Sequence, residues 1–341
     1  MVAMAYDAVL LLSFGGPEGP DDVMPFLRRV VKGRGVPEER LVEVAEHYHH
    51  FDGVSPINGQ CRDLLAALRP ALDSAGITVP LYWGNRNWDP LLADTVARMR
   101  DDGIRRALAF VTSPFGSYSS CRQYWQDIAS ARAEVGPDAP VIDKIRHYHD
   151  HPGYVGPHAR AVTRALASLA DSAPPIRLVF TAHSIPVSMD AAAGPAGGRY
   201  SAQLRETAAL VAGAGAPGVE WDLVWQSRSG PPRVPWLEPD LNEHLEVLVK
   251  REVEAVVVSP IGFISDHLEV LWDLDEEAAA TAERLGLRYA RADTPGTDPE
   301  FVAMVVDLVR ERFEDSRAPA KLGALPVWDA CPPNCCRPAG G

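Results

Sequence analysis

The stretch EAVVVSPIGFISDHLEVLWDLDEEAAATAERL, residues 254–285, joins a strand pattern directly to a helix pattern. Its first part, EAVVVSP, is apolar on both faces, as in a strand buried inside a parallel sheet. Residues 267–285 have helical spacing, and Glu269, Asp273 and Glu277 recur on one face at intervals of four. Like charges at this spacing weaken a helix, and Glu269 follows the carboxyl end of the strand, where open α/β sheets bind ligands. The stretch therefore predicts an α/β unit with an acidic, ligand-binding edge.

Strand and helix patterns of this kind alternate along the chain. The strand patterns are residues 8–14, 79–84, 106–113, 140–145, 176–184, 221–227, 254–260 and 288–293. The helix patterns include residues 58–75, 90–101, 119–134, 155–171, 200–213, 240–251, 267–285 and 299–314. Apolar strands alternating with helices indicate parallel sheets covered on both faces. Two sets of four strands predict two such sheets, which we assign to domains at residues 1–160 and 161–320, followed by a Cys-rich tail at 321–341.

Composition restricts the class of protein. The chain has 341 residues, a net charge of −13 and a pI of about 5.2, and duplex nucleic acid is therefore not an expected partner. It has no apolar run of the roughly 18 residues that a membrane span needs, and its first residues lack the basic region of a secretory signal. We therefore expect a soluble, cytoplasmic protein.

Polar residues follow two strand patterns of the second half. His183 comes at the end of the strand pattern 176–184, and Glu269 follows the pattern 254–260. If these two strands are neighbours, the imidazole and the carboxylate converge in one cleft and form a base beside an acid. The same groups suit Fe²⁺, Mn²⁺ or Zn²⁺. The alternative for the acidic row is an ordinary solvated helix face.

Several other side chains are candidates for the wall of that cleft. The aromatic ones are Phe14, Trp88, Tyr118, Tyr124, Trp225 and Trp236, most of which would serve equally well as core residues. Trp236 follows a Pro-rich loop, a position more typical of a ligand wall. Lys32, Arg34 and Ser55 are candidates for binding carboxylates, which a guanidinium matches with two parallel hydrogen bonds. Their alternative is ordinary surface charge.

The cysteines suggest a metal site in the tail. Cys331, Cys335 and Cys336 crowd a segment in which Pro and Gly interrupt any regular pattern. A structural zinc or an iron–sulfur cluster needs four thiolates. The fourth ligand is Cys121, on a loop after a strand, or Cys61, inside a helix pattern. Of the two we favour Cys121, and unrelated tail thiols are the remaining alternative.

The motifs LLLSFGGPE, SPING, FTAHSIP, WQSRSGPPRVPWLEPDL and SPIGFISDHLEVLWDLDEE occur in this order over nearly the whole chain. Together they resemble the ferrochelatases, which insert Fe²⁺ into a porphyrin. The resemblance implies two Rossmann-like domains in a chelatase-like fold, each a four-stranded parallel sheet flanked by helices, with a porphyrin cleft between them. It also implies a monomer that passes its product to a downstream enzyme of heme synthesis.

The resemblance assigns roles to the residues of the cleft. His183 and Glu269 would form the catalytic and metal-insertion centre, with Asp273 and Glu277 as further metal-handling acids. Phe14 would lie on the opposite wall, where other members have Tyr or Met. Asn87 stands where some bacterial members have a second histidine, and a metal ligand there would be weaker. His183 is the expected acceptor of the two pyrrole protons, with Glu269 orienting it and relaying charge.

The resemblance extends to the tail and to the substrate. The tail is similar to that of ferrochelatases holding a [2Fe–2S] cluster, although the spacing is C-x₃-C-C instead of the animal-type C-x₂-C-x₄-C. Residues 26–55 are short and polar where membrane-bound animal enzymes have an apolar lip. An open cleft favours coproporphyrin III, with Lys32, Arg34, Ser55, Arg122 and Tyr124 as propionate partners. The alternatives are protoporphyrin IX as substrate, a cobalt or nickel chelatase, and a non-catalytic tetrapyrrole or iron carrier.

Overall fold

The structure, a computed structural model, describes residues 6–33, 35–169, 175–230, 233–314, 317–329, 331 and 335–337. The strands are β1 (Ala8–Ser13), β2 (Leu81–Asn85), β3 (Arg106–Val111), β4 (Val141–Lys144), β5 (Ile176–His183), β6 (Trp221–Gln226), β7 (Ala255–Ser259) and β8 (Arg288–Arg291). The helices are α1 (Pro20–Val30), α2 (Glu38–His50), α3 (Ile57–Ser74), α4 (Leu92–Asp101), α5 (Gln123–Val135), α6 (Pro152–Ser168), α7 (Val187–Ala191), α8 (Arg199–Gly215), α9 (Leu241–Lys250), α10 (Leu268–Leu271), α11 (Ala279–Leu285) and α12 (Pro299–Phe313). Two π-helical segments, Tyr118–Arg122 and Trp272–Ala278, precede α5 and α11.

The eight strands form two parallel sheets of four strands each, in the orders β2-β1-β3-β4 and β6-β5-β7-β8. Every residue of β1 and of β7 is buried, because helices cover both faces of each sheet. The predicted α/β fold is therefore confirmed. The strand patterns in the sequence are also confirmed, with ends that differ by no more than two residues.

The turn after β1 depends on a glycine. Gly15 has φ +80°, and a Cβ at this position would lie 2.8 Å from Cβ of Asn85 at the end of β2. Only glycine combines a positive φ with this close approach at no steric cost. The tight strand-to-helix turn expected from the Gly-Gly pair is present, and it leads the chain into α1.

The sequence patterns missed α1, α2 and the short α7. The polar composition of residues 26–55 hid an amphipathic periodicity, in which Leu41, Ala45 and Tyr48 of α2 recur at helical spacing and are buried. In α1, Asp21 and Asp22 occupy the first turn, where a carboxylate stabilises a helix. The region is therefore a pair of packed helices.

The two halves of the chain share one hydrophobic core. The largest cluster of buried residues contains side chains of both sheets, for example Phe110 of β3 and Phe180 of β5. The last helix, α12, packs on α3 of the first half and on α6. The division at residues 1–160, 161–320 and 321–341 therefore remains a prediction, because burial is continuous across the first boundary.

Residues 317–329, which we call the strap, run without regular structure over the shared core. Hydrogen bonds that involve backbone groups of the strap hold the strap in place. The Arg146 guanidinium donates to the carbonyl of Ala320 at 2.8 Å, and the N–H of Leu322 donates to the carbonyl of Asp150 at 2.9 Å. The tail is thus held by polar contacts with buried residues, as its lack of an apolar pattern required.

No helix within the described residues has the length and apolar character that crossing a lipid bilayer demands.

Replacing Leu245 by alanine should destabilise the protein. Leu245 is fully buried in α9, and a Leu→Ala change in a core costs about 2–5 kcal/mol through lost transfer energy and the cavity that remains. Val247 in the same helix is 37% exposed, and Val247→Ala should change stability by less than about 0.5 kcal/mol. Urea unfolding of both variants measures the difference. Equal losses would contradict the assigned packing of α9.

Candidate functional site

His183 is the last residue of β5 and enters the cleft with a fixed orientation. Its Nδ1 lies 2.6 Å from the carbonyl oxygen of Ser184, and the phenol of Tyr200 donates to the carbonyl of His183 at 2.9 Å. Because a carbonyl can only accept, the ring proton of the neutral imidazole is on Nδ1. The lone pair of Nε2 is therefore available as a base or as a metal ligand.

The carboxylate of Glu269 lies beside Nε2 of His183. Its Oε2 lies 3.7 Å from Nε2 of His183, and the two side chains are 31% and 47% exposed. Glu269 belongs to the short helix α10, which follows β7, and β7 is the neighbour of β5 in the sheet. The strand adjacency assumed from the sequence therefore brings the imidazole and the carboxylate together at one open edge.

The acidic row leads from Glu269 into a cavity. Glu269, Asp273 and Glu277 line a space of about 250 Å³. Asp273 accepts hydrogen bonds from the amide of Gln226 at 3.1 Å and from the hydroxyl of Ser227. Burial is the main cause that raises the pKa of Asp273 from 3.8 to about 7, and the Glu269 carboxylate adds to it. The Asp273 carboxyl thus exchanges protons near neutral pH, and it lies next to Glu269 in the acidic row.

The helix that carries the acids differs from the predicted regular α-helix. Residues Trp272–Ala278 are π-helical, a form found mostly as short insertions at functional sites. Tyr289 of β8 donates to the carbonyl of Leu274 at 2.8 Å, which draws that carbonyl away from the helical ladder. Arg291 of the same strand binds Asp275 at 2.8 Å within the segment. Strand β8 therefore holds the segment in the form that turns Asp273 inward.

Arg291 also binds a residue that precedes α10. Its guanidinium forms two parallel hydrogen bonds with Asp266, at 3.0 and 2.9 Å. Asp266 precedes Glu269 in the chain, whereas Asp275 follows Asp273. One arginine thus fastens both ends of the segment that carries the two acids, and no local sequence pattern identifies it.

The first half of the chain closes one side of the acidic cavity. His47 of α2 stacks on Trp272 with ring centroids 3.9 Å apart, and His50 lies 3.4 Å from Glu276. Burial lowers the pKa of His47, while the nearby Glu277 carboxylate opposes this shift. These contacts were not predicted, since α2 itself was missed. The cleft is therefore bounded by groups of both halves.

Phe14 is a partly buried residue of the first half and follows β1. It packs against the cluster of Phe26, Leu41 and Tyr48, which also contains Leu268, the neighbour of Glu269. The carbonyl of Phe14 accepts from the side-chain amide of Asn87 at 3.3 Å. Phe14 and Asn87 are thus brought to the same wall, with the amide used to hold the backbone of Phe14.

The other predicted porphyrin contacts lie in different places. Lys32 follows α1 and is exposed, while Ser55 is buried against the turn after β1. Trp236 is half-buried and pairs with Pro186 in an isolated bridge just beyond His183. Arg34 lies outside the described residues.

Two of the predicted propionate partners are not at the cleft surface. Tyr124 is 4% exposed in the core beside the first sheet, with the Arg86 guanidinium 4.7 Å above its ring. Arg122 lines the cavity that contains the cysteines. Both were chosen for their chemistry; Arg122 ends the π-helical turn Tyr118–Arg122, and Tyr124 lies in the first turn of α5.

Four cysteines surround a second cavity, of about 320 Å³. Cys121 donates a hydrogen bond to Cys331, which raises the pKa of Cys121 and lowers that of Cys331. Cys331 in turn neighbours Cys335, whose sulfur lies 3.4 Å from that of Cys336. Cys61 lies elsewhere, buried in α3, where burial raises its thiol pKa to about 11. Of the two candidates, Cys121 is the one beside the tail cysteines.

Hydrogen-bond donors reach three of the four sulfurs. The ammonium of Lys144 lies 3.1 Å from the sulfur of Cys121, and the N–H of Gly194 donates to Cys336 at 3.3 Å. The indole of Trp328 donates to Cys331 at 3.3 Å. Such donors stabilise negative charge on sulfur, as the thiolate ligands of a metal or cluster require. Lys144 follows from no motif, and it was missed.

Comparison with known proteins identifies the family that the sequence motifs resemble, and the match covers nearly the whole chain. The family model described as ferrochelatase matches residues 6–313. A coproporphyrin III ferrochelatase of Nocardia farcinica is 56% identical, over 98% of this chain and 97% of the relative. One of Mycobacteroides abscessus is 53% identical, over 98% of both chains, and a ferrochelatase of Rhodopirellula baltica is 51% identical, over 97% of this chain and 93% of the relative.

Solved structures agree on the fold. SirB from Bacillus subtilis with Fe³⁺ matches with a TM-score of 0.57 at 12% identity, over 92% of this chain and 98% of that one. At this identity the likeness concerns the architecture alone, two parallel sheets flanked by helices. The family match and the close relatives carry the assignment further. The chain belongs to the ferrochelatase family.

Proposed function

We propose that the chain inserts Fe²⁺ into coproporphyrin III and yields iron coproporphyrin III and two protons. The observation that carries this proposal is the 3.7 Å approach of Nε2 of His183 to Oε2 of Glu269 in an open cleft. Nε2 of His183 is basic, and the hydrogen bond from Nδ1 to the carbonyl of Ser184 orients the ring. Nε2 thus lies beside a carboxylate that can take over the proton that Nε2 accepts. Relatives that are 53–56% identical and are named coproporphyrin III ferrochelatases support the choice of reaction.

The chemistry requires that two N–H protons leave the porphyrin as the dication enters. Nε2 of His183 accepts a proton, and the imidazolium that results is stabilised by Glu269. Asp273, with its pKa of about 7, receives the proton next, and Glu277 continues the row along the cavity. The second pyrrole proton takes the same route once Nε2 of His183 is again unprotonated. The same four groups, His183, Glu269, Asp273 and Glu277, offer nitrogen and oxygen ligands to the arriving Fe²⁺. No change in the oxidation state of iron is needed.

The substrate propionates need basic and polar partners at the rim. Among the candidates, exposed Lys32 is free to reach a carboxylate, and Ser55, Asn87 and Trp236 remain proposals on the cleft side. Arg122 and Tyr124 are less suitable, because one lines the cysteine cavity and the other is buried. Further proposals are a cytoplasmic monomer, in keeping with the net charge of −13, and transfer of the product to a downstream heme-synthesis enzyme.

The proposed reaction is tested by mixing protein, Fe²⁺ and either coproporphyrin III or protoporphyrin IX without oxygen. The Soret band should convert to that of the iron complex, with a higher kcat/KM for coproporphyrin III. His183→Ala should lower kcat by about 10²–10⁴-fold, because the proton acceptor is gone, yet retain porphyrin binding. His49→Ala, on the exposed side of α2, is the matched control.

An unchanged free-base spectrum with the wild-type protein would indicate a carrier instead of a chelatase. Equal or better turnover of protoporphyrin IX would show that protoporphyrin IX is the substrate instead of coproporphyrin III. Full activity of His183→Ala would exclude His183 as the proton acceptor. Turnover of Co²⁺ or Ni²⁺ without Fe²⁺ would identify a different chelatase.

We further propose that Cys121, Cys331, Cys335 and Cys336 hold a [2Fe–2S] cluster. Their sulfurs follow one another in a row around the cavity, whereas a tetrahedral zinc site needs four sulfurs about 3.8 Å apart, given Zn–S bonds of about 2.3 Å. Among the described residues, no three of these sulfurs lie within 4.8 Å of one another. The donors Lys144, Gly194 and Trp328 suit a negatively charged cluster. Iron insertion needs no electron, so the cluster would support the fold of the tail.

The Cys121→Ser variant should lose the cluster. Protein purified without oxygen should be reddish-brown, with equal iron and sulfide contents. Cys121→Ser should be colourless, whereas Cys61→Ser should keep the colour, because Cys61 is buried in α3. Colourless wild-type protein with one zinc per chain would refute the cluster in favour of a zinc site.

Asp273 should make stability depend on pH. Its folded-state pKa of about 7 exceeds the ordinary 3.8, so the folded protein binds this proton more tightly than the unfolded chain does. Stability is therefore lost as pH rises from about 4 to 7, by up to ~1.4 kcal/mol for each pH unit, and is constant above. Without metal, Asp273→Asn should exceed the wild type in urea stability at pH 8 but not at pH 4.

The matched control for that experiment is Asp63→Asn, an exposed carboxyl on α3, which should give the same difference from the wild type at both pH values. A difference between wild type and Asp273→Asn that is equal at pH 4 and pH 8 would show that the carboxyl titrates normally.

A further inference from the structure

A third group of ligand-type side chains includes none of the cleft acids and none of the cysteines, although Gln203 lies between its His149 and the His147 that contacts Cys121. One ligand atom each from His149, Asp150 and Glu206 lies within 4.8 Å of the other two. Nε2 of His149 is 3.0 Å from Oε2 of Glu206, and its Nδ1 is 3.9 Å from Oδ1 of Asp150. His149 and Asp150 are completely buried, and the Glu206 side chain is 16% exposed. No step of the proposed reaction uses them.

Asp150 is the unusual member of this group. Both of its carboxylate oxygens are buried, and neither accepts a hydrogen bond from the described part of the chain. A carboxylate buried without donors is strongly disfavoured unless a cation or a proton compensates it. The Arg146 guanidinium, four residues earlier, is engaged with Glu311 at 2.7 and 2.9 Å and with backbone carbonyls.

We propose that His149, Asp150 and Glu206 bind a first-row divalent cation of the Mn²⁺, Fe²⁺ or Zn²⁺ class. Two carboxylates and one imidazole are a ligand set that such ions accept, and a dication cancels the charge of both carboxylates. The 3.0 Å between Nε2 of His149 and Oε2 of Glu206 equals the separation of two ligands at right angles on an ion with bonds of about 2.1 Å. The exposed fraction of Glu206 gives ion and water a route to the site.

Gln203 determines which ring nitrogen carries the proton. Its carbonyl accepts from the N–H of Gly116 at 2.7 Å, which directs its amide nitrogen to within 3.2 Å of Nδ1 of His149. In this arrangement the ring proton is on Nε2 and is donated to Glu206. Cation binding at Nε2 moves that proton to Nδ1 and requires the Gln203 amide to turn over. The site therefore exchanges two hydrogen bonds, from Gly116 to Gln203 and from His149 to Glu206, for the compensation of two carboxylates.

The position of this site links it to the strap, residues 317–329. The N–H groups of Ala324 and Leu325 donate to Oε1 of Glu206 at 2.7 and 3.1 Å, and that of Leu322 donates to the carbonyl of Asp150. A cation on Glu206 and Asp150 fixes the groups that receive these bonds. The site would thus fasten the strap that leads to Cys331.

Mn²⁺ titration of the full-length protein, followed by the EPR signal of free Mn²⁺, tests the proposal. Mn²⁺ favours oxygen ligands over thiolates, and the Glu269→Gln background weakens binding in the cleft. Asp150→Asn and Glu206→Gln, each added to this background, should lower the affinity at least tenfold, since each removes one anionic ligand. Asp63→Asn in the same background is the matched control.

A second measurement follows the strap directly. Trypsin cuts after Lys321, which is exposed, and Mn²⁺ should slow this cleavage severalfold in the Glu269→Gln background but not when Asp150→Asn is added. Circular dichroism establishes that each variant is folded, and Glu206→Gln replaces Asp150→Asn if the latter is not. Mn²⁺ affinity and cleavage rates that are the same with and without the carboxylate changes would overturn the proposal.

Discussion

The adjacency of β5 and β7 in the second sheet is the constraint on which the site depends. These strands pair in parallel with Phe180 opposite Ser259, so both carboxyl ends open at the same edge. His183 ends one strand, and the segment with Glu269 follows the other. A different strand order would separate the imidazole and the carboxylate, although both residues would be unchanged. The reaction centre is therefore a property of the topology as much as of the two side chains.

The two halves of the chain contribute different kinds of side chain to the cleft. The second half supplies His183 at the end of β5, Glu269 on α10, and Asp273 on the π-helical segment held by Tyr289 and Arg291 of β8. The first half supplies an aromatic wall around Phe14 and the stacking contact of His47 with Trp272. The chemistry thus sits on the rigid edge of one sheet, and the opposite wall is lined by rings.

Strand identity and sheet order could be predicted, because buried parallel strands leave continuous apolar runs that few other structures produce. The proximity of His183 and Glu269 followed from this order. Helix α2 could not be found, since its three buried residues are diluted by charged ones, and the contacts of His47 were lost with it. Arg291, Lys144 and Gln203 were also missed, because a polar side chain that supports another residue leaves no local pattern. Arg122 and Tyr124 had suitable chemistry, but Tyr124 is buried on α5 and Arg122 lines the cysteine cavity, and spacing does not reveal either position.

The strap also orders events during synthesis. Three of the four clustered thiols lie beyond it, whereas Cys121 lies in the first half of the chain and is translated long before them. The strap itself rests on residues 146–150 and on α8, which belong to the folded body. The cysteine cavity can therefore close only after both sheets have formed on or off the ribosome. The cluster proposed for these thiols would therefore be loaded last, on a chain whose body has already folded.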